Sequence, residues 1–262
     1  MPQVSPAFCK LFPGQHCFCQ GWQVYSRWQS NGPHIFQFII IGLFCGMASL
    51  TEENYLKVLY RLSQDKQEIA VKDIAEQLDI KMPTVNSMVK KLAEKKLLKY
   101  EKYKAIELTE KGRKAALYIL RKHRLSELFL SKVMGIGWEE VHDIAEQIEH
   151  IQSELFFNRI DEMLGNPQFD PHGEPIPDAH GKLPVHKTLP LSDGIIKKKY
   201  KLAGVTNHDA SFLKYLDSLG VSIGSVIEIK EVQNFDKSMS VIINGKVNTI
   251  FSLTVCSNLL ML

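Results

Sequence analysis

Two short runs of helically spaced apolar residues lie close together between Val71 and Leu92, and the break between them constrains what this chain can become. The segment Val71-Lys-Asp-Ile-Ala-Glu-Gln-Leu78 reads as a short helix, interrupted by Asp79-Ile-Lys-Met before Pro83. Pro83 suits a first helical turn, where its missing N–H costs no hydrogen bond. Val85, Met88, Val89 and Leu92 then mark a buried face, leaving Thr84, Asn86, Ser87 and Lys90 outward. Strand-like segments at 97–100 and 105–108 flank Glu101 to Lys104 as a hairpin. Upstream, Tyr55, Val58, Leu59 and Leu62 recur at helical spacing, and Thr51 with Glu53 and Asn54 reads as that helix's start. Helix, short helix, turn, Pro-led helix and hairpin make a winged helix-turn-helix, whose second short helix enters the major groove of DNA.

Charge supports the same reading only locally. The formal net charge is +3, so the location of the charge matters more than its amount. From Lys81 to Lys104 there are eight Lys against two Glu, the footprint of phosphate contact through counterion release. Lysines alone would be a solvated helix face; the element order beside them makes them a DNA-binding surface. Thr84, Asn86 and Ser87 are the candidates for base edges, and Lys81, Lys90 and Lys104 for phosphates.

The chain has 262 residues, 45% of them hydrophobic, enough for several packed domains. Residues 1–46 differ in character, with four of the five cysteines and almost no charge. The apolar run from Ile35 to Cys45 is too short to span a bilayer, and Cys17-x-Cys19 lacks the paired spacing of a zinc site. A disordered or foreign extension is expected there, and a cytoplasmic protein without a membrane segment or disulfide framework after it.

Residues 118–185 carry the candidate chemistry. A long helix capped by Thr109 runs to about Lys132, a second from Trp138 to about Ser153, and a third to Leu164. His123 and Glu127 stand four apart on one face, while Glu146, Glu149 and His150 at i, i+3 and i+4 can converge; His142 lies one turn earlier. Imidazole and carboxylate without thiolate suit Mn(II) or Fe(II). A Glu and His stripe is also what the wet side of a helix looks like. A di-iron carboxylate enzyme draws its Glu-x-x-His motifs from different helices, whereas both partial copies here fall on one. No phosphate loop or nucleophile context suggests an enzyme elsewhere.

The segments Pro83-Thr-Val, Arg121-Lys-His-Arg-Leu-Ser-Glu127, Val141-His-Asp-Ile-Ala-Glu-Gln-Ile-Glu-His150 and Asp170-Pro-His-Gly-Glu-Pro-Ile-Pro177 resemble the diphtheria-toxin-repressor family, including its manganese-transport-regulator branch. The resemblance implies a homodimeric repressor that binds palindromic operator DNA when loaded with metal and controls metal-uptake genes. It implies two neighbouring metal sites per subunit, one at Asn54, Glu146, Glu149 and His150, the other at His123, Glu127 and His142. Glu146, where the iron branch has Cys, favours Mn(II), with Fe(II) as the alternative. Asn54 replaces the family's Met or Asp with a weaker amide ligand. The manganese branch's second acidic residue falls at Lys57, which cannot ligate while charged. A plain winged-helix regulator without metal control is the other reading.

From Leu189 onward short apolar runs alternate with turns, among them the Asn244-Gly245 hairpin, an all-β pattern. The resemblance implies an SH3-like barrel at 186–262 that lends ligands to the second site, with His208 and Asp209 best placed. Cys256 reads as a core residue. The expected fold is mainly α with a small β part: 47–117 a winged helix-turn-helix domain, 118–185 a helical metal-binding and dimerisation domain, and 186–262 the barrel.

Overall fold

The computed structural model describes residues 49–262 except 103 and 186, so the expectations for 1–46 lie outside the described residues. Helix α1 (Leu50–Asp65) begins earlier than its apolar pattern suggests, because Ser49 rather than Thr51 caps it. The Ser49 hydroxyl accepts the Glu52 N–H at 3.3 Å and the Glu52 carboxylate accepts the Ser49 N–H at 2.9 Å. This reciprocal box satisfies two donors that a helix start otherwise leaves unpaired. Helix α2 (Val71–Leu78) ends at Asp79, which takes a left-handed turn with φ 51°, and α3 (Met82–Glu94) follows with Pro83 in its first turn. The hairpin strands β1 (Leu98–Lys99) and β2 (Glu107–Leu108) pair over only two residues each, shorter than the alternation suggests.

Helix α4 (Glu110–Lys132) is capped by Thr109 as expected, and its first half joins the core that α1, α2 and α3 form, the winged helix-turn-helix or reading module. Leu56 and Leu59 of α1, Ile74 of α2, Val85, Val89 and Leu92 of α3, and Ala116 and Leu120 of α4 are essentially inaccessible. Gly112 permits the close approach of α4 to the hairpin, since a Cβ there would lie 2.0 Å from the Leu97 carbonyl oxygen.

Helix α5 (Val141–Ile148) is shorter than the expected 138–153 span, and α6 (Glu154–Met163) follows it. The Ser153 hydroxyl accepts the Phe156 N–H at 3.2 Å, so it starts α6 instead of continuing α5. The turn lets Phe157 and Ile160 pack on Leu125 and Leu128. His150 consequently lies beyond the helix, not on its stripe.

The C-terminal part contains β3 (Leu189–Pro190), β4 (Lys199–Val205), α7 (Ala210–Ser218), β5 (Val226–Val232), β6 (Met239–Ile243), β7 (Val247–Phe251), α8 (Leu253–Ser257) and β8 (Leu259–Met261). The strands form one antiparallel sheet in the order β3-β8-β4-β5-β6-β7. Asn244 and Gly245 both take positive φ, the geometry of a tight two-residue hairpin. The C-terminal part is a β-sheet as expected, and among the described residues its end strands β3 and β7 are not paired with each other, so closure into a barrel is not seen. Helices α7 and α8 are additions to the all-β pattern, with Leu213 and Leu216 of α7 buried against the sheet. Cys256 is a core residue, its thiol pushed up to about 11 by burial. Among the described residues no helix is long and apolar enough to cross a membrane.

Candidate metal centre

Glu127 projects from α4 one turn after His123 and is almost wholly buried. Its Oε1 lies 3.0 Å from His123 Nε2 and 3.1 Å from Nδ1 of His142 on α5, while Oε2 faces His172 Nδ1 at 3.8 Å. Two sets of ligand atoms result, each within 4.8 Å of one another: His123, Glu127 and His142, and Glu127, Asp170 and His172. Glu127 belongs to both, with one oxygen turned to each side.

The loop carrying Asp170 and His172 is fastened by α4. Arg124 donates to the Pro175 carbonyl at 2.5 Å and pairs with Glu174 at 2.8 Å, and Arg121 donates to the Pro177 carbonyl at 2.7 Å. At Gly173, φ is +84° and a Cβ would meet the Ala203 carbonyl oxygen at 2.0 Å, so only glycine brings this loop against β4. His172 Nε2 donates to the Trp138 carbonyl at 2.8 Å, and its buried Nδ1 has no hydrogen-bond partner among the described residues. A buried polar atom left unpaired is costly, and a cation held here by His172 and Glu127 would relieve it. The Trp138 carbonyl would fix the ring as an outer partner does for a metal-bound histidine. The donor set fits a divalent ion.

The titration of these groups follows from their contacts. Burial disfavours the charged form of Glu127, but the hydrogen bonds of His123 and His142 and the His172 ring facing its second oxygen outweigh it and hold the carboxyl well below its usual range. Burial likewise pulls His123 down, yet Glu127 and Glu149 raise it to about 9. Burial, then the carboxylates of Glu174 and Glu127, push Asp170 up to about 7. His208 is lowered, by burial first and by neighbouring His172.

The other expected set is arranged differently. Glu146 and Glu149 both contact the Lys57 ammonium of α1, at 2.9 and 2.8 Å. The second oxygen of Glu149 accepts the His123 Nδ1 proton at 2.5 Å. His150 turns to Glu53 of α1, with Nδ1 2.7 Å from Oε2, and Gln152 donates to the other Glu53 oxygen at 2.9 Å. Asn54 Oδ1 is buried without a hydrogen-bond partner among the described residues. Glu146, Glu149 and His150 thus do not form a third set of converging ligand atoms there. His208 stacks on His172 with ring centroids 4.6 Å apart, whereas Asp209 is exposed at the start of α7.

On α3, Pro83, Thr84, Ser87 and Lys90 are exposed, as is Lys81 before it. Ser87 donates to the Pro83 carbonyl at 3.0 Å, and Asn86 accepts from the Tyr100 hydroxyl at 3.2 Å, which steadies the helix against the hairpin. Lys91 and Lys95 instead neutralise buried Glu52 of α1, at 3.1 and 2.8 Å. Lys104 pairs with Glu101 across the hairpin tip at 2.5 Å, while Lys81 and Lys90 make no ion pair among the described residues.

Residues 47–106 match the family described as iron dependent repressor, N-terminal DNA binding domain; residues 109–178 match its metal binding and dimerisation domain, and 189–253 the FeoA domain. The diphtheria toxin repressor of Corynebacterium jeikeium is 33% identical over 186 residues, 70% of this chain and 76% of that protein. The chain belongs to the diphtheria-toxin-repressor family. The iron-dependent repressor IdeR of Mycobacterium tuberculosis is 42% identical over 127 residues, which is 48% of this chain and only 55%, about half, of that relative. A solved structure titled as a manganese-dependent transcriptional repressor in complex with manganese superposes with a TM-score of 0.74 at 33% identity, over 80% of this chain and 99% of the other.

The sequence singles out His123, Glu127 and His142, which the structure brings together, but not Asp170 and His172, which meet Glu127 on its other side. Both lie in the Asp-Pro-His-Gly-Glu-Pro segment, which the sequence marks by family resemblance and not by any period. Loop residues carry no periodicity, so the available signal was a His and an Asp beside a glycine and prolines that fix the backbone.

Proposed function

We propose that this family member is a cytoplasmic, metal-activated transcriptional repressor that binds palindromic operator DNA as a homodimer and controls metal-uptake genes. The observation that carries the proposal is the Glu127 centre on α4, the helix whose first half is packed into the core of the reading module. A bound divalent ion supplies a fixed positive charge for two imidazole and carboxylate sets, and nitrogen and oxygen donors without thiolate favour Mn(II) or Fe(II). His123, Glu127, His142, Asp170 and His172 are the residues that would hold it.

Glu127 keeps its negative charge, His123 gives up the proton on Nε2, and Glu149 steadies the same ring through Nδ1. His208 supports His172 from the C-terminal module, which we read as an SH3-like unit. Thr84, Asn86 and Ser87 would read base edges from α3 with Pro83 opening the helix, and Lys81, Lys90 and Lys104 would meet phosphates. Exposed Leu155, Phe156 and Met163 on α6 support dimerisation through the helical module, since side chains of this size gain by leaving water together. The division into 47–117, 118–185 and 186–262 follows these roles.

Fluorescence anisotropy of a labelled palindromic promoter fragment, titrated with protein in Mn(II) and in EDTA, tests the proposal. At least tenfold tighter binding in Mn(II) is expected; equal affinities would replace it with a metal-independent winged-helix regulator.

A further inference from the structure

The residues at 54, 146, 149 and 150 do not fit a divalent ion, and the reason is a side chain of this chain's own. Lys57 lies one turn after Glu53 on α1 and is 5% exposed, and Glu149 is fully buried. The Lys57 ammonium has three protons, and three carboxylate oxygens receive them: Glu146 Oε1 at 2.9 Å and Glu149 Oε1 and Oε2 at 2.8 and 3.1 Å. A second lysine, Lys122, is buried in the electrostatic field of Glu53 and Glu149. A divalent ion would have to evict a charged, fully hydrogen-bonded group with a packed stem, or sit beside it against like charge.

We infer that Lys57 is a covalently tethered cation that takes the place of a metal ion between Glu146 and Glu149, leaving the Glu127 centre to carry the metal response. This rests on the proposed metal-activated reading and makes it more specific. The clamp between α1 and the end of α5 is then built into the chain, reinforced by Glu53 to His150 and Gln152. Glu149 joins the two parts: both oxygens accept from Lys57 of the reading module, and Oε2 accepts from His123 of the metal centre as well. Loading of the centre reaches α1 chiefly through Glu149, with a looser second route through Glu146, whose Oε1 lies 3.7 Å from His142 Nε2. Glu149 is therefore a positioning residue and not a ligand.

The test is metal stoichiometry, read by isothermal titration of the full chain with Mn(II) and by elemental analysis after desalting. Glu146 is half exposed, so Glu146→Gln preserves the fold, and it is expected to bind as many equivalents per subunit as the unaltered chain with affinity within twofold. Loss of one equivalent would overturn the inference, because Glu146 would then be a ligand despite Lys57. Lys57→Met keeps the apolar stem and deletes the charge, and it is expected to gain one Mn(II) per subunit; no gain in a variant whose circular dichroism is native would equally overturn it. If Lys57→Met does not fold, Glu146→Gln decides alone. A chain whose DNA affinity ignores Mn(II) refutes the regulatory reading, an outcome read by anisotropy and separate from either stoichiometry.

Discussion

Metal binding to this chain should be driven by pH over a higher window than an ordinary histidine allows. His123 Nε2 faces Glu127 and His142, and its Nδ1 proton faces Glu149, so in the metal-free chain the ring is held protonated up to about 9. A ligating Nε2 must lose its proton. At pH 7.5 the ring lies about 1.5 units below its midpoint, which costs about 2 kcal/mol, or roughly thirtyfold in Mn(II) affinity. The logarithm of affinity should therefore rise with a slope near one from pH 7 to 8.5, and flatten only near 9. Below pH 7 the protonation of Asp170, pushed up to about 7, steepens the slope towards two. An unperturbed histidine would place the break near about 6.5, where the sequence alone puts it. Competition against a fluorescent Mn(II) chelator across pH 6–9 reads the slope directly, and a flat response between pH 7 and 8.5 would refute the reasoning. Stability runs the other way: a folded value raised above the unfolded one stabilises the metal-free chain fully below about pH 6.5. That contribution is lost as pH rises through about 9, so urea unfolding in EDTA should show falling stability over the window in which Mn(II) affinity climbs.

His172→Ala should weaken Mn(II) at least about tenfold by calorimetry while far-ultraviolet circular dichroism stays native; unchanged affinity would remove His172 from the ligand set. Gly173→Ala forces a Cβ into the Ala203 carbonyl at a positive φ, so it should lower both the melting temperature and Mn(II) affinity. Ser49→Ala removes a reciprocal cap and should cost about 1 kcal/mol in urea unfolding, with the metal affinity untouched. Lys90→Ala should reduce the salt dependence of operator binding by about one unit in log–log slope, equally for matched and mismatched sequences.

Elements whose side chains repeat with a helical period were legible in the sequence. Val71–Leu78 is α2 as read, and Thr109 caps α4 through the Gly112 N–H. Pattern failed at two boundaries: Ser49 moves the start of α1 back, and α5 stops at Ile148, before His150, with Ser153 starting a separate helix. The i, i+3, i+4 convergence of Glu146, Glu149 and His150 assumed a helix that stops at Ile148. Closure of the C-terminal sheet was illegible for a similar reason, because recurring apolar runs set strands but not which edges meet.

The centre itself was half visible because its two halves come from different kinds of backbone. His123 and Glu127 share a helix face, so spacing alone pairs them, and His142 follows on the next helix. Asp170 and His172 arrive by a loop whose place depends on Arg124, Arg121 and the missing side chain of Gly173, contacts that connect residues up to 56 apart. Lys57 shows the converse. Its type was readable as an obstacle to ligation, but only the fold reveals that its ammonium meets the very carboxylates an ion would have claimed. A charge opposite in sign to the expected ligand can thus preserve the electrostatic purpose of a site, since what the buried Glu149 and its half-exposed neighbour Glu146 require is a cation between them, and a lysine on the facing helix supplies one that chelators cannot remove.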